Sequence, residues 1–230
     1  MFTVEKLDRL IAEQLQAALS CSIIGRNIIV LEQTGSTNDA IFQVASPQGA
    51  TVSSLPAVAS AKECPPPLVD EGLALFAEHQ TAGRGQRGNR WESAAGKGLW
   101  FSILLRPGIQ LNDSRWLTIW AIETISDVIR IEFGLQPAIK LPNDVQLNGH
   151  KVAGVLVEMR AQNNARHVAV IGIGINMNQR RDDFPAELQD RAISLAMSLG
   201  RHVDRQNFAV ALLRNLDLTY REKFACSRGR

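Results

Sequence analysis

The sequence predicts an α+β fold, a mixed β-sheet with helices packed on it, and three observations carry that reading. Four segments rich in Val, Ile, Leu or Phe have strand length: Leu73 to Glu78, Leu99 to Leu105, Val152 to Met159 and His167 to Ile175. Apolar residues recur at helical spacing in a long central stretch, Ser114 to Phe133, and in a terminal one, Arg205 to Phe224. Strands and helices do not alternate regularly, which argues against a run of βαβ repeats. A chain of 230 residues with 45% hydrophobic content can bury roughly 70% of its surface without a disulfide or metal staple.

In chain order, Val4, Leu7, Leu10, Ile11, Leu15 and Ala18 lie at helical spacing and predict an amphipathic helix from about Val4 to Leu19. Asn27 to Leu31 reads as a short buried strand. Ser36-Thr37-Asn38-Asp39 has the capping-box pattern, with Ser36 as cap and Asp39 reaching back, ahead of Ile41, Phe42 and Val44. A helix is expected to start there. Residues 46–71 are rich in Ser, Pro and Ala and include Pro65-Pro66-Pro67, so they read as a long surface excursion. In the central stretch Trp116, Ile119, Trp120, Ile122, Ile125, Val128, Ile129 and Phe133 predict one long helix packed on a sheet. Asn148-Gly149 signals a tight hairpin joining Val145–Leu147 to Lys151–Met159.

Composition narrows the function classes. Lys and Arg number 25 against 23 Asp and Glu, with no long basic run, so charge makes no case for nucleic acid. Cys21, Cys64 and Cys226 lie far apart, and the four histidines show no metal-ligand spacing, which disfavours a structural zinc site and suits a reducing compartment. No segment has the length of a membrane span and the N-terminus has no leader pattern. A cytoplasmic protein is expected.

The densest chemical signal is Gln80-Thr81-Ala82-Gly83-Arg84-Gly85-Gln86-Arg87-Gly88-Asn89-Arg90-Trp91, directly after a predicted strand. Three glycines in six residues let backbone N–H groups approach a ligand, and Arg84, Arg87 and Arg90 add fixed positive charge, a combination that suits phosphate or carboxylate. The spacing satisfies G-x-G-x-x-G, but a strand follows instead of a helix, which excludes a dinucleotide fingerprint, and no Gly-Lys-Ser/Thr completes a Walker loop. An exposed Arg/Gly hairpin explains the same letters.

Two further clusters are open on their own residues. Lys151 begins an apolar strand, and simple alternation places Lys151, Ala153, Val155 and Val157 on one face. An ammonium there either snorkels to solvent or meets a bound anion. Asn143 and Asp144 follow Lys140-Leu141-Pro142 and suit Mg²⁺, an incoming amine or an ordinary turn. In Gly172-Ile173-Gly174-Ile175-Asn176 the glycines allow a flat ring to pack closely and Asn176 can both donate and accept, though a strand ending in a turn reads the same way.

Taken in this order, Ser36-Thr37-Asn38, Gln80 through Gly88 with Trp91, Lys140 through Asp144, Lys151-Val152-Ala153-Gly154-Val155-Leu156-Val157-Glu158 and Gly172 through Asn176 resemble the biotin protein ligase family. The resemblance implies the class II aminoacyl-tRNA synthetase-like biotin/lipoate ligase catalytic fold, with residues 1–230 forming a single catalytic domain and 46–71 a surface insertion. It implies ATP-dependent activation of biotin to biotinyl-5′-AMP with release of pyrophosphate. The biotinyl group then passes to one lysine of a biotin carboxyl carrier domain of a biotin-dependent carboxylase.

The site residues follow from the same resemblance. Ser36, Thr37, Asn38 and Gln80 match the positions at the biotin ureido end, and Gly83, Arg84, Gly85, Gln86, Lys151 and Gly154 complete the biotin set. Arg84, Arg87, Trp91, Asn143, Lys151 and Asn176 match the ATP set, with Trp91 and Asn176 at the adenine. Lys151, Arg84, Arg87, Asn143 and Asp144 are the expected catalytic group. No protein motif holds a metal; Mg²⁺ is expected to arrive with ATP, beside Asp144. The implied partners are biotin, ATP and the carrier domain, with no nucleic acid and no membrane, and a homodimer is compatible with the family. Only 35 residues precede Ser36 and six follow Phe224, so neither the helix-turn-helix domain nor the terminal β-barrel domain of some relatives is expected.

Gln86, Asn89 and Leu141 depart from common family choices, the first two where basic residues are frequent and the third where tryptophan is usual. Fewer charges on the loop weaken retention of the adenylate. The protein is therefore expected to release biotinyl-adenylate faster than its Gln86→Arg variant, and equal rates in a release assay would remove that expectation. Lipoate ligation or octanoyl transfer on the same architecture is one alternative, and a non-catalytic biotin or nucleotide binder is another. The ureido-reading set favours biotin over an aliphatic acid, and retention of Arg84, Arg87, Asn143, Asp144 and Lys151 favours an enzyme.

Overall fold

The computed structural model describes residues 8–19, 23–45, 71–161 and 166–225. The excursion expected over 46–71 falls, apart from Glu71, outside these residues. The described elements are α1 (Ala12–Ala18), β1 (Ile28–Thr34), α2 (Thr37–Ala45), β2 (Ala74–Gln80), β3 (Gly98–Leu105), α3 (Ser114–Phe133), β4 (Ala138–Lys140), β5 (Asp144–Leu147), β6 (His150–Arg160), β7 (Val168–Asn176), α4 (Leu195–Leu199) and α5 (Arg205–Tyr220). The strands form one seven-stranded sheet in the order β1-β2-β3-β7-β6-β5-β4. β1 and β2 run parallel and every other neighbouring pair is antiparallel, so the sheet is mixed as expected.

Alternation along the central strands assigns the two faces. On β7, Ala169, Ile171, Ile173 and Ile175 enter the larger core, which also takes Trp120, Ile125 and Ile129 of α3 and Phe208, Leu212 and Leu216 of α5. Val168 and Val170 face the other way, into a smaller core with Ile41 and Phe42 of α2. At Gly172 and Gly174 the second face loses its side chains, and there the sheet opens. β3 repeats the pattern: Leu99, Phe101, Ile103 and Leu105 enter the larger core, Leu104 enters the smaller one, and Trp100 and Ser102 lie across from the glycines, paired with Gly174 and Gly172. A period of two thus produces both the core and a recess beside α2.

Several elements end where local chemistry dictates. α3 stops at Gly134, whose φ of +67° is left-handed, a conformation glycine adopts without a Cβ penalty. The expected hairpin forms, with Asn148 and Gly149 both at positive φ (52° and 80°), as a type I′ turn requires. Asp204 caps α5 by accepting from the Asn207 N–H at 2.9 Å.

Three expectations need correction. The helix expected from Val4 to Leu19 is helical, among the described residues, only over Ala12–Ala18. Tertiary partners take up the backbone just before it: the Leu10 N–H donates to Glu78 Oε1 at 2.8 Å and the Ile11 N–H to Gln206 at 3.0 Å. Trp116, expected to pack on the sheet, is 48% exposed, with the Arg115 guanidinium 5.0 Å over its ring. The third concerns Lys151. Gln146 pairs with Lys151 but Val145 pairs with Ala153, so Val152 is an extra residue in β6. This β-bulge sends Val152 and Ala153 together into the larger core and turns Lys151 onto the opposite face, with Gly154.

Behind the sheet, Arg205 is fully buried and donates to Glu78 Oε2 at 2.7 Å and to the Gly98 carbonyl at 3.0 Å, and its guanidinium also reaches Asp8. Breaking such a pair from one side costs about 3–5 kcal/mol, so this cluster fastens the start of α5 to β2, to the start of β3 and to the segment before α1. No helix among the described residues is long and apolar enough to cross a membrane.

Candidate functional site

The recess beside α2 is a small cavity lined by residues of α2, β2, the glycine loop, β6 and β7. Its closed end is polar. Thr37 opens α2 and its N–H donates to Gln80 Oε1 at 2.8 Å, which leaves Gln80 Nε2 to donate to Ser93 at 3.2 Å. Ser102 Oγ stands 2.8 Å from Thr37 Oγ1 and 2.6 Å from Asn38 Oδ1. Asn38 Nδ2 donates to Glu158 Oε2 at 2.7 Å. Ser36, Thr37, Asn38, Gln80 and Ser102 are all buried, so these bonds fix their orientations in a site of low dielectric.

The wall between the two ends is backbone. A Cβ on Gly172 would lie 2.3 Å from Asn38 Oδ1, and one on Gly174 would lie 2.5 Å from Trp91 Cε2. A Cβ on Gly154 would lie 2.9 Å from both Trp91 Cζ3 and Lys151 Cε. The glycines of β6 and β7 therefore give their space to Asn38, to the Trp91 indole and to the Lys151 stem. Trp91 meets Trp100 edge-on with centroids 5.8 Å apart, and its buried Nε1 has no acceptor among the described residues.

Lys151 marks the far end. Its ammonium lies 2.6 Å from Asp144 Oδ1 and 5.1 Å above the Trp91 ring. Among the described residues no donor is aligned with that carboxylate oxygen in hydrogen-bond geometry, so the contact is a Coulombic one. The Lys151 backbone is held separately: its N–H donates to the Arg191 carbonyl at 2.8 Å and its carbonyl accepts from Ile193 at 2.9 Å. The bulge thus frees the side chain for the cavity while a second segment grips the main chain.

Comparison with known proteins places this arrangement. The family model described as biotin/lipoate A/B protein ligase matches residues 56–176, just over half of the chain. The chain belongs to that family. The bifunctional ligase/repressor BirA of Bacillus spizizenii is 33% identical over 95% of this chain and 61% of its own length. The biotin--[acetyl-CoA-carboxylase] ligase of Mycobacterium tuberculosis is 34% identical over 84% of this chain and 63% of its own. This chain therefore spans less than two thirds of either relative. Among solved structures, the Aquifex aeolicus biotin protein ligase in complex with biotin and ATP superposes with a TM-score of 0.65, at 29% identity over 86% of this chain and 73% of that one. The mixed sheet described above is the fold of this ligase family.

Within that family fold, the cavity gathers ten of the residues singled out from sequence: Ser36, Thr37, Asn38, Gln80, Arg84, Gly85, Trp91, Asn143, Lys151 and Gly154. Asp144 and Asn176 line instead a second, open groove, which adjoins the first at the shared residues Trp91 and Lys151. Gly83, Gln86 and Arg87 line neither. Gly83 supports the site indirectly, since its carbonyl accepts from the Trp91 N–H at 2.9 Å. Arg87 is exposed and holds a left-handed backbone (φ 57°, ψ 34°), an uncommon conformation for a residue with a Cβ. Asn143 secures β6, donating to the Val155 carbonyl at 2.9 Å and accepting from the Val155 N–H at 3.0 Å.

Two side chains do more within the protein than the sequence suggested. Arg84 donates to both oxygens of Glu158, at 2.9 and 2.6 Å, and to Asp39 at 2.8 Å. The Glu158 hydrogen bond, with the charges of Glu158 and Asp39, outweighs burial and holds the guanidinium above its usual pKa. Asp39 thus spends its carboxylate on Arg84, where a capping-box bond was expected. Asn176 donates to the Ile193 carbonyl at 3.1 Å and accepts from Gln179 at 3.2 Å, fastening the segment that grips Lys151. Next to Phe184, which lines the groove, Asp183 pairs with Lys97. Burial works against the Asp183 carboxylate, but that ammonium and the Arg180 N–H prevail and keep its pKa below the usual range.

Sequence reasoning missed Glu158, Ser93, Ser102 and the pairing role of Asp39. Ser102 had a signal: it is the one polar residue in the otherwise apolar run Leu99 to Leu105. As for a metal, Asp144 is already engaged by Lys151, and no three His, Cys, Asp or Glu side chains gather among the described residues. The donor set does not fit a protein-built Mg²⁺ site.

Proposed function

We propose that this chain is an ATP-dependent biotin protein ligase that forms biotinyl-5′-AMP and transfers the biotinyl group to a lysine of a biotin carboxyl carrier domain. The observation that carries the reading is a single cavity with a buried set of amides and hydroxyls at one end and Lys151 at the other. The ureido head, with one carbonyl and two N–H groups, needs matched donors and acceptors once buried; Ser36, Thr37, Asn38 and Gln80, which line the cavity, supply that chemistry. The glycine wall makes room for Asn38, the Trp91 indole and the Lys151 stem, and the valeryl chain runs past these side chains. The carboxylate then reaches Lys151.

In the first half-reaction a biotin carboxylate oxygen attacks the α-phosphorus of ATP. The new C–O–P bond forms as the bond to pyrophosphate breaks. Two anions must meet, so positive charge and positioning are the protein's main contribution. Lys151 exchanges Asp144 for the substrate carboxylate and neutralises it. Arg87, exposed on the glycine loop and without a carboxylate in ion-pair reach among the described residues, is the cation placed to meet the phosphates. Arg84, engaged by two carboxylates, holds the loop in place, with three of its five N–H groups donating to Glu158 and Asp39. The groove beyond Trp91 receives the nucleotide and then the carrier domain. In the second half-reaction the acceptor amine attacks the acyl carbon, the C–O bond to AMP breaks, and the proton the amine gives up passes to solvent. Asn143 and Asp144 flank that approach.

An aliphatic acid such as lipoate or octanoate would leave the buried donors and acceptors unpaired, at a cost that favours biotin strongly. Residues 1–230 are proposed to act as one catalytic unit in the cytoplasm, where the carboxylase acceptor and ATP are present. Pyrophosphate release measured with ATP and biotin, lipoate or octanoate in turn tests the reading. Release is expected with biotin; release with none of the acids would refute the enzyme.

A further inference from the structure

We propose that Glu158 is a positioning residue that sets the hydrogen-bond polarity of the cavity's closed end. This rests on the biotin reading above and adds to it a residue that touches no reacting atom.

Glu158 lies on the cavity side of β6, and each of the neighbours it bonds is a donor. Its Oε2 accepts from Asn38 Nδ2 at 2.7 Å and from Arg84 Nη2 at 2.6 Å, and its Oε1 accepts from Arg84 Nη1 at 2.9 Å. An ionised carboxylate can only accept. Asn38 is an amide whose two ends are nearly alike in shape, so packing alone leaves its orientation free. Facing Glu158, only the nitrogen end fits, and Oδ1 is turned toward Ser102.

That choice propagates. Ser102 has a single hydroxyl hydrogen and stands 2.6 Å from Asn38 Oδ1 and 2.8 Å from Thr37 Oγ1. Asn38 Oδ1 can only accept, so the Ser102 hydrogen goes there, and the Thr37 hydroxyl hydrogen has two acceptors within reach, Ser102 Oγ at 2.8 Å and Gln80 Oε1 at 3.2 Å. Gln80 is fixed from the other side, because its Oε1 accepts from the Thr37 N–H at 2.8 Å. The Asn38 amide and the Ser102 hydroxyl then each have one orientation. Asn38 retains one N–H and one lone pair for a ligand, and Thr37 retains a lone pair, in an orientation fixed before binding. Polar recognition of this kind depends on such preorganisation.

Glu158 also holds the glycine loop. Its paired bonds to Arg84 cross from the sheet to residue 84, and Asp39 on α2 takes the same guanidinium at 2.8 Å. A neutral amide at position 158 has one donor end. That end must confront either Asn38 Nδ2 or Arg84, or else Asn38 must turn over and reverse the row.

Calorimetric titration of the full chain with biotin alone, and separately with ATP alone, tests the proposal. Glu158→Gln is expected to weaken biotin at least about tenfold, the scale of losing charge-assisted bonds, and ATP by a clearly smaller factor, because Asp39 still holds Arg84 and its loop. Ser102→Ala, a small change on a central strand, is expected to weaken biotin about three- to tenfold, the scale of one neutral hydrogen bond. Pairing Glu158→Gln with Arg84→Gln, which removes the orphaned cation, is expected not to restore biotin binding. Wild-type affinity in that double variant would mean that Glu158 only neutralises Arg84, and would overturn the proposal. Unchanged biotin affinity in Glu158→Gln would overturn it as well, as would equal losses for biotin and ATP. Should Glu158→Gln not fold, Ser102→Ala decides: loss of biotin affinity supports the row and wild-type affinity overturns it. If the unmodified chain does not bind biotin, the functional reading itself falls, and this proposal with it.

Discussion

Lys151→Ala is expected to reduce adenylate formation on the order of 10³-fold, the upper range for removing a preorganised charge from a reacting centre, and to leave the protein folded. The bulge at Val152 makes this separation possible. It places the apolar neighbours Val152 and Ala153 in the core and the Lys151 side chain, 32% exposed, on the cavity face. Its backbone bonds to Arg191 and Ile193 do not involve the ammonium. Truncation therefore removes a positive charge beside Asp144 and Trp91 without opening the core. The remaining carboxylate of Asp144 then faces the same space as the biotin carboxylate and ATP, which adds repulsion to the lost attraction. Biotin-dependent pyrophosphate release, with thermal unfolding as control, checks both halves. A variant that adenylates normally would take Lys151 out of the reaction.

Gly172→Ala is expected to weaken biotin binding by about 10- to 100-fold, the range that follows from overpacking costs of about 1–3 kcal/mol. A Cβ there would stand 2.3 Å from Asn38 Oδ1 and 3.1 Å from its Nδ2. In an exposed amide the side chain would swing away at little cost. Here Glu158 and Ser102 hold it at both ends, so the methyl group must displace a buried, hydrogen-bonded row. β7 itself keeps its ladder, because Gly172 has no left-handed φ among the glycines that do. The loss should therefore fall on biotin affinity, measured by calorimetry, more than on the unfolding midpoint. Wild-type affinity would mean that the Asn38 amide does not read the ligand.

Much of the architecture was legible because it follows from period and punctuation. Ser114 to Phe133 is helical over its whole expected length, since its apolar stripe and Gly134 agree. The Asn148-Gly149 hairpin formed for the same local reason. What could not be read depends on contacts between distant residues. Alternation misplaced Lys151 because a bulge shifts the count by one, and nothing in Lys151-Val152-Ala153 announces which residue is extra. The start of α1 was overextended because Leu10 and Ile11 spend their N–H groups on Glu78 and Gln206. Glu158 was visible as the last residue of a motif, yet its role depends on Asn38 and Arg84, which lie 120 and 74 residues away along the chain. The motif letters therefore identified most of the cavity's lining, while the bonds that orient it appear only in the folded chain.

The central claim is that this one cavity joins biotin to the α-phosphate of ATP. It is tested most directly by supplying ATP labelled in the α-phosphate, together with biotin, and identifying the labelled product by chromatography and mass spectrometry before and after a carrier domain is added. The account predicts labelled biotinyl-adenylate with matching release of pyrophosphate, then labelled AMP and a biotinylated carrier lysine, with no corresponding adenylate from lipoate. Label that stays in ATP when biotin is present, or that moves equally to lipoate, would contradict it.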